Sequence, residues 1–329
     1  MKLHLDREAF SVILDTIHGR TGYRTDVLEK DYYVVLLLKE LSEFQKEGLP
    51  AYFKGGTALY KALKTTNRFS EDIDLSVDSR GCSRSQNDRR LNDATKKYTA
   101  LARDVESGRT NRSEVIAVYN YEPVTAYDVN DALQRFGKLK IEATSFTISE
   151  PVESLEISAM IYDLATDEER KILEETYDVK PFTVLTITLE RIFVDKLFAA
   201  EAYVRNSDKA SRAFEAAKHI YDLSVMKNHH KIISLMNDSD ILGKLLAIRL
   251  KEEQDRLDGI PNLLPTDFIF FEQSAKNIAV KKAYKIMQSQ YVMHESNRID
   301  FNVAMDSLED IRKQLMKNPA WAECTMLEK

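Results

Sequence analysis

The sequence predicts an α+β fold. Three observations support this prediction: two patterns of apolar residues and one pair of glycines. In the first half, short runs with the two-residue period of β-strands alternate with stretches of helical spacing. After about residue 186 the strand signal fades and helical spacing continues. Gly55 and Gly56 stand between a β-prone run and a helical run. We therefore expect a mixed sheet with helices at residues 1–185, followed by a helical-bundle domain at residues 186–329.

The same periods place the individual elements along the chain. The first 50 residues read as helices, with clear helical spacing at residues 28–41. Strands are predicted at residues 51–54, 72–77, 138–146, 154–161 and 181–187. Helices are predicted at residues 58–63, 93–106, 167–175, 188–205, 209–226, 230–236 and 242–256. Thr57 is expected to cap the helix that begins at residue 58.

Length and composition bound the class of protein. The chain has 329 residues, of which 43% are hydrophobic and 30% charged, so we expect an ordinary globular protein of two domains. Charges interrupt the N-terminal residues too early for a signal peptide. The longest aliphatic run, residues 34–38, is too short to span a bilayer. We therefore expect a cytoplasmic protein, in which Cys82 and Cys324 are free thiols.

The net charge of −6 does not favour a nucleic-acid binder as a whole. Residues 80–115, however, contain nine Lys or Arg against five Asp or Glu. This segment is either a solvated loop and helix or a track for RNA phosphates. Charge alone favours the solvated interpretation.

Residues 53–59 hold the first candidate binding motif. A β-prone run ends at Lys54, and Gly55 and Gly56 then precede the predicted helix. Glycines let a ligand approach the backbone closely, and a helix start offers unpaired N–H groups to a phosphate. Thr57 adds a hydroxyl donor. Taken alone, the same pattern also fits a plain turn.

Asp72 and Asp74 form the second candidate motif. On a strand, residues two apart point to the same face, so the two carboxylates would lie side by side with Ile73 behind them. Like charges at that distance repel, and a cation relieves the repulsion. Mg²⁺ prefers carboxylate and phosphate oxygens. The pair therefore predicts a magnesium site, although Asp-x-Asp also occurs on ordinary exposed strands.

The order and spacing of the two motifs resemble the signature of polymerase-β-like nucleotidyltransferases. In that signature a hydrophobic run and a Gly-Gly or Gly-Ser pair precede a short helix, and Asp-x-Asp follows on the next strand. The resemblance implies a polymerase-β-like core and a third carboxylate from a later strand. Glu142 is our candidate, and an exposed strand glutamate is the equally open alternative. Lys54 and Arg68 flank the turn. They could contact triphosphate oxygens, or they could be ordinary surface charges.

Four segments extend the resemblance to the AbiEii/AbiGii-type toxin family of nucleotidyltransferases. In the order of that family they are residues 29–34, residues 54–59 with 68–75, residues 188–197 and residues 218–223. The last segment departs from the family pattern, because Lys218 replaces the usual Arg and His219 stands where some members have Asp. Of that motif's two acids, only Asp222 is present. The likeness spans roughly residues 28–225.

The resemblance implies a function. Members of the family are toxins of type IV toxin–antitoxin pairs, which act in phage defence by abortive infection. They transfer a nucleoside monophosphate from a nucleoside triphosphate to an acceptor hydroxyl. Mg²⁺ is the implied cofactor, a cognate antitoxin an implied partner, and the 3′ end of tRNA the implied acceptor. The implied metal-binding and catalytic residues are Asp72, Asp74 and Glu142, with Lys196 and Asp222 in the catalytic set. The implied triphosphate-binding residues are Gly55, Gly56, Thr57 and Lys196.

Lys196 lies in the middle of the apolar stripe of the helix predicted at residues 188–205. A buried ammonium is costly without a partner. It could extend to solvent, form a structural ion pair, or bind nucleotide phosphates, and the family resemblance favours the phosphates. Asp222 could pair with Lys218, four residues earlier, or with Lys196 on another helix.

Three other functions stay open. The same core modifies small molecules in aminoglycoside-type nucleotidyltransferases, which would require an acidic acceptor pocket. The acceptor could also be a Ser, Thr or Tyr of a protein. From a different class, the chain could be a catalytically silent binding protein. The complete set of candidate metal and phosphate ligands argues against that last alternative.

Overall fold

The chain forms two compact units in the computed structural model, which describes residues 1–64, 68–126, 136–255 and 263–324. The first unit is Met1–Ile187 and the second is Thr188–Lys329. Every strand found in the described residues belongs to the first unit. The predicted α+β class, with a helical C-terminal region, is confirmed.

One mixed sheet organises the first unit. Its strands are β1 (Ala51–Lys54), β2 (Ile73–Val77), β3 (Ala102–Thr110), β4 (Glu114–Asn120), β5 (Lys138–Thr144), β6 (Val152–Ile157) and β7 (Phe182–Ile187). They lie in the order β3-β4-β5-β2-β1-β7-β6. The pairs β1/β7 and β2/β5 are parallel, and the other neighbouring pairs are antiparallel. Strands distant in sequence therefore meet at the centre of the sheet.

The helices of the first unit pack around this sheet. They are α1 (Arg7–Thr21), α2 (Thr25–Lys46), α3 (Gly55–Leu63), α4 (Arg84–Lys96), α5 (Met160–Asp163) and α6 (Asp167–Glu175). The Asp6 side chain accepts a hydrogen bond from the N–H of Ala9 and caps α1, which ends at Gly22 in the left-handed conformation. The central part of α2 is buried on every side, which explains its near-continuous apolar sequence.

In its described residues the second unit has helices as its regular elements and no strand. Its helices are α7 (Leu189–Arg205), α8 (Ala210–Met226), α9 (His230–Asn237), α10 (Ser239–Asp255), α11 (Phe270–Lys276), α12 (Ile278–Tyr291), α13 (Phe301–Leu315) and α14 (Pro319–Ala322). Thr188 caps α7 by accepting a hydrogen bond from the N–H of Arg191. Tyr221, Phe270 and Trp321 are among its fully buried side chains.

Three predicted elements need correction. The helix predicted at residues 93–106 is wrong at its C-terminal end, because α4 stops at Lys96 and Ala102–Thr110 pairs with β4 instead. The strand predicted at residues 154–161 ends at Ile157, before α5. Thr57 is not a cap, since α3 already begins at Gly55. The last residue of the helix predicted at 242–256, Arg256, lies outside the described residues.

The alternation along β2 separates the core from the polar face of the sheet. Ile73, Leu75 and Val77 are completely buried, while Asp74 lies on the opposite face. Elsewhere, Cys82 and Cys324 are both free thiols, as expected. Within the described ranges, no helix combines the length and the apolar character needed to cross a bilayer.

Candidate active site

Neighbouring side chains lie close to the two glycines at the start of α3. Gly55 has a φ of +82°, and a Cβ there would lie 2.0 Å from Oδ2 of Asp74. A Cβ on Gly56 would lie 2.7 Å from Oγ of Ser70 and 3.1 Å from a guanidinium nitrogen of Arg68. At Gly55 a side chain is therefore disfavoured both by Asp74 and by the backbone conformation, whereas at Gly56 the ends of the Ser70 and Arg68 side chains would have to shift.

Carboxylates gather on the polar face of the sheet beside this helix start. Strand register places Lys54 of β1 opposite Asp74 of β2, and Asp74 opposite Glu142 of β5. Asp72 directly precedes β2. The structure thus brings Glu142 beside the two aspartates, which the sequence could only suggest. Its role as third metal-binding carboxylate stays a prediction.

Lys140 is a residue of this cluster that the sequence interpretation missed. Its Nζ lies 3.1 Å from Oδ2 of Asp72 and 3.2 Å from Oε2 of Glu142. Lys140 precedes Glu142 by two residues on a strand, so both side chains point to the same face. That spacing is the signal from which it could have been found.

The pKa of Asp74 reflects the balance of charges in the cluster. Burial, and then the neighbouring carboxylates Asp72 and Glu142, raise its pKa to about 7, although Lys54 and Lys140 act in the opposite direction. The excess negative charge and the all-oxygen donors fit a hard divalent cation such as Mg²⁺. Among the described residues, no three His, Cys, Asp or Glu side chains are already arranged as metal ligands. Lys140 stands between two of the carboxylates that would have to converge.

The raised pKa of Asp74 predicts a pH dependence of stability without metal. Between its ordinary value near 4 and the folded value of about 7, the folded chain holds a proton that the unfolded chain has lost. The contribution of Asp74 to stability should therefore decrease as the pH rises through this window. Urea unfolding in EDTA should show this decrease, and Asp74→Asn should remove it. An unchanged pH profile in that variant would contradict the assignment.

Three more predicted ligands surround the cluster. Nζ of Lys54 donates to the hydroxyl of Thr144 at 2.9 Å. The hydroxyl of Thr57 donates to the carbonyl oxygen of Asp72 at 2.6 Å, so its side chain positions the aspartate segment. Arg68 is buried beside Gly56. All three therefore lie close to the candidate site.

Buried charged residues of α2 form ion pairs with the aspartate segment and with α3. Lys30 forms an ion pair with Glu71, the residue before Asp72. Oδ1 of Asp31 lies 2.8 Å from Nζ of Lys61 on α3. All four side chains are buried. Segment 29–34, noted in the sequence for its family resemblance, thus ties the aspartate segment and α3 to one helix.

Lys196 and Asp222 belong to the second unit. Nζ of Lys196 lies 2.5 Å from Oδ2 of Asp222, and both side chains are buried. This ion pair joins α7 to α8. Lys218 pairs instead with Glu215, at 2.8 Å. Of the two partners considered for Asp222, the structure therefore shows Lys196, and the catalytic role of both residues stays a prediction.

Local acids neutralise much of the basic segment at residues 80–115. Salt bridges join Arg80 to Asp78 (2.9 Å), Lys97 to Asp93 (3.2 Å) and Arg109 to Glu114 (2.9 Å). A cavity of about 360 Å³ beside α4 is lined by Arg89, Arg90 and Lys97, and also by the acids Glu47 and Asp93. Its charge is mixed, so it is neither a purely basic groove nor an acidic pocket.

Similarity to known proteins extends over most of the chain. The family model described as nucleotidyl transferase AbiEii toxin, type IV TA system, matches residues 36–314. JHP933 from Helicobacter pylori has a solved structure with a TM-score of 0.43 and 15% identity, over 90% of this chain and 95% of its own. A candidate nucleotidyltransferase from H. pylori has a TM-score of 0.37 and 15% identity, over 96% and 98% of the two chains. No curated protein matches the sequence significantly.

Proposed function

Since the chain belongs to the AbiEii family of nucleotidyltransferase toxins of type IV toxin–antitoxin systems, we propose that it transfers a nucleoside monophosphate to an acceptor hydroxyl with Mg²⁺ as cofactor. The single observation that supports this chemistry best is the row of carboxylates beside the glycine start of α3. Register places Asp74 next to Glu142, and Gly55 packs against Asp74 without space for a side chain.

Asp72, Asp74 and Glu142 are the residues that would hold the metal. When bound there, Mg²⁺ would supply positive charge to the triphosphate and to the attacking oxygen. The chain's own part is to fix the carboxylates: strand pairing aligns Asp74 with Glu142, and the Thr57 hydroxyl holds the backbone of Asp72. The other role proposed for Glu142 is that of a general base, which would accept the proton of the acceptor hydroxyl.

The start of α3 is proposed to bind the triphosphate. The first N–H groups of a helix have no partners within it and favour anions. Gly55, Gly56 and Thr57 provide these groups, so Thr57 participates through its backbone while its hydroxyl holds Asp72. Arg68 and Lys54 add positive charge next to this turn.

Lys196 and Asp222, both in the second unit, are the remaining residues for which we propose a role. Lys196 would bind nucleotide phosphates, and the carboxylate of Asp222 would hold its ammonium in place until then. A buried Lys–Asp pair also serves structure alone. The family resemblance of segments 188–197 and 218–223 favours the functional role.

The acceptor and the biological role rest on family membership alone. We propose the 3′ end of tRNA as acceptor, a cognate antitoxin as partner, and abortive infection in phage defence as the role. Modification of the tRNA end would block aminoacylation. The charge of residues 80–115 is mixed, so it adds little to the case for RNA binding. If this segment binds RNA phosphates, the affinity for RNA should decrease as salt is added.

The test is labelling by each α-labelled nucleoside triphosphate in turn, with Mg²⁺ and total tRNA. We expect one nucleotide to label tRNA, and the variant Asp72→Ala with Asp74→Ala to lose the label entirely. The control is Asp167→Ala, which removes an exposed acid at the start of α6 and should keep full activity.

The alternatives predict different results when other acceptors are supplied and when nucleotide binding is measured by calorimetry. Label in an aminoglycoside or in protein, with none in tRNA, would identify a small-molecule or protein acceptor. Calorimetry that detects no Mg²⁺–nucleotide binding would identify a catalytically silent protein. Label that persists in the double aspartate variant would refute the proposed metal site.

A further inference from the structure

Lys140 occupies the place of a cation in the acidic cluster. Its ammonium lies within 3.2 Å of carboxylate oxygens from both Asp72 and Glu142. These residues come from separate segments: one precedes β2, and the other lies on the parallel neighbour β5. The ammonium therefore joins two of the three carboxylates that the proposed function assigns to the metal.

The surroundings of Lys140 fit an exchangeable ion better than a permanent structural one. About a third of its side chain is exposed, as are about a quarter of the side chains of Asp72 and Glu142. The structural Lys–Glu pair behind the site, Lys30 with Glu71, is by contrast almost completely buried. An ammonium on a flexible stem that reaches solvent can leave its partners at small cost.

We propose that Lys140 is an internal counter-ion that holds the cluster together without metal and is displaced when a divalent cation binds. The inference rests on the proposed function, since it takes Asp72 and Glu142 as metal ligands. Both cations need the same oxygens, so the ammonium competes with the metal. The competition lowers metal affinity while it protects the folded chain from repulsion among three neighbouring carboxylates.

Metal binding without nucleotide tests the competition. Mn²⁺ and Mg²⁺ would be titrated calorimetrically into wild type, Lys140→Gln and Lys140→Arg. Lys140→Gln should bind the metal about tenfold more tightly or better, whereas Lys140→Arg, which keeps the charge, should stay near wild type. Lys138→Gln is the matched control, because Lys138 lies two residues earlier on β5 and pairs with Asp104 at 3.0 Å. It should leave metal affinity unchanged.

Stability gives a second readout that does not depend on activity. In EDTA, Lys140→Gln should unfold at a lower urea concentration than wild type. Added Mg²⁺ should raise the urea midpoint of Lys140→Gln by more than it raises that of wild type. In the unaltered protein, Mg²⁺ should also increase acylation of the Lys140 amine several-fold relative to Lys138. That measurement needs no variant to fold.

The outcomes separate the two proposals. Equal metal affinity in wild type and Lys140→Gln, or unchanged acylation of Lys140, overturns the counter-ion while the metal site stands. Absence of metal binding in all variants overturns the metal site and the counter-ion together. Unchanged metal affinity with a loss of nucleotide binding in Lys140→Gln would make Lys140 a phosphate ligand instead, and would also overturn the inference.

Discussion

Gly55→Ala should reduce nucleotidyl transfer by about 100-fold or more. The new Cβ would lie 2.0 Å from Oδ2 and 2.9 Å from Cγ of Asp74, so either the aspartate or the start of α3 must shift. A shift of about 1 Å in a reacting group is enough for a loss of that size. Initial rates with the labelled nucleotide, together with urea unfolding, measure the effect.

The chain offers a control with the same backbone strain and no clash. Gly81 has a φ of +71°, close to the +82° of Gly55, and a Cβ there meets nothing within 4 Å. Both alanine variants should lose about 1–2 kcal/mol of stability from the left-handed conformation. Only Gly55→Ala should also lose activity. Equal activity in the two variants would show that Asp74 tolerates displacement or takes no part in the reaction.

Lys30→Met should be among the most destabilising single changes in the first unit, at about 3–5 kcal/mol. Lys30 and Glu71 are both buried, so the substitution removes the ammonium that pairs with a buried carboxylate next to the aspartate segment. Equilibrium unfolding in urea measures the loss.

A second lysine of α2 provides the comparison. Nζ of Lys46 lies 2.9 Å from Oε1 of Glu43, and both side chains are largely exposed. Lys46→Met should therefore cost no more than about 1 kcal/mol. Lys30→Met combined with Glu71→Leu should recover much of the lost stability, because neither charge of this pair is then buried. If Lys30→Met were as mild as Lys46→Met, the buried pair would not stabilise the fold.

Local patterns were sufficient for most of the fold. The alternation at residues 72–77 and the β-rich run at 181–187 predicted β2 and β7 to within one residue, and the helical spacing after residue 188 predicted α7 and α8. In these elements the apolar residues recur with the period of the conformation, so the sequence reports that conformation directly. The glycine motif and Asp-x-Asp could be placed for the same reason.

What the sequence could not show depends on partners from elsewhere in the chain. Nearly all of β3 is exposed, so no apolar alternation marks it, and pairing with β4 alone makes it a strand. The pairing of Asp74 with Glu142 is set by strand register, which local periodicity does not contain. Lys140, Lys30 and Asp31 read as ordinary charges until the residues that face them are known.

The order of strands also has a consequence for the moment at which the protein is expected to become active. β2 lies between β1 and β5, and β1 needs β7 as its parallel neighbour, so the carboxylate row forms only from segments distant in sequence. Such long-range pairing is slow and comes late in folding. A chain still emerging from the ribosome presents Asp72 and Asp74 before β5 and β7 exist. We therefore expect nascent chains to be inactive, with toxicity beginning only after all the strands of the sheet have paired.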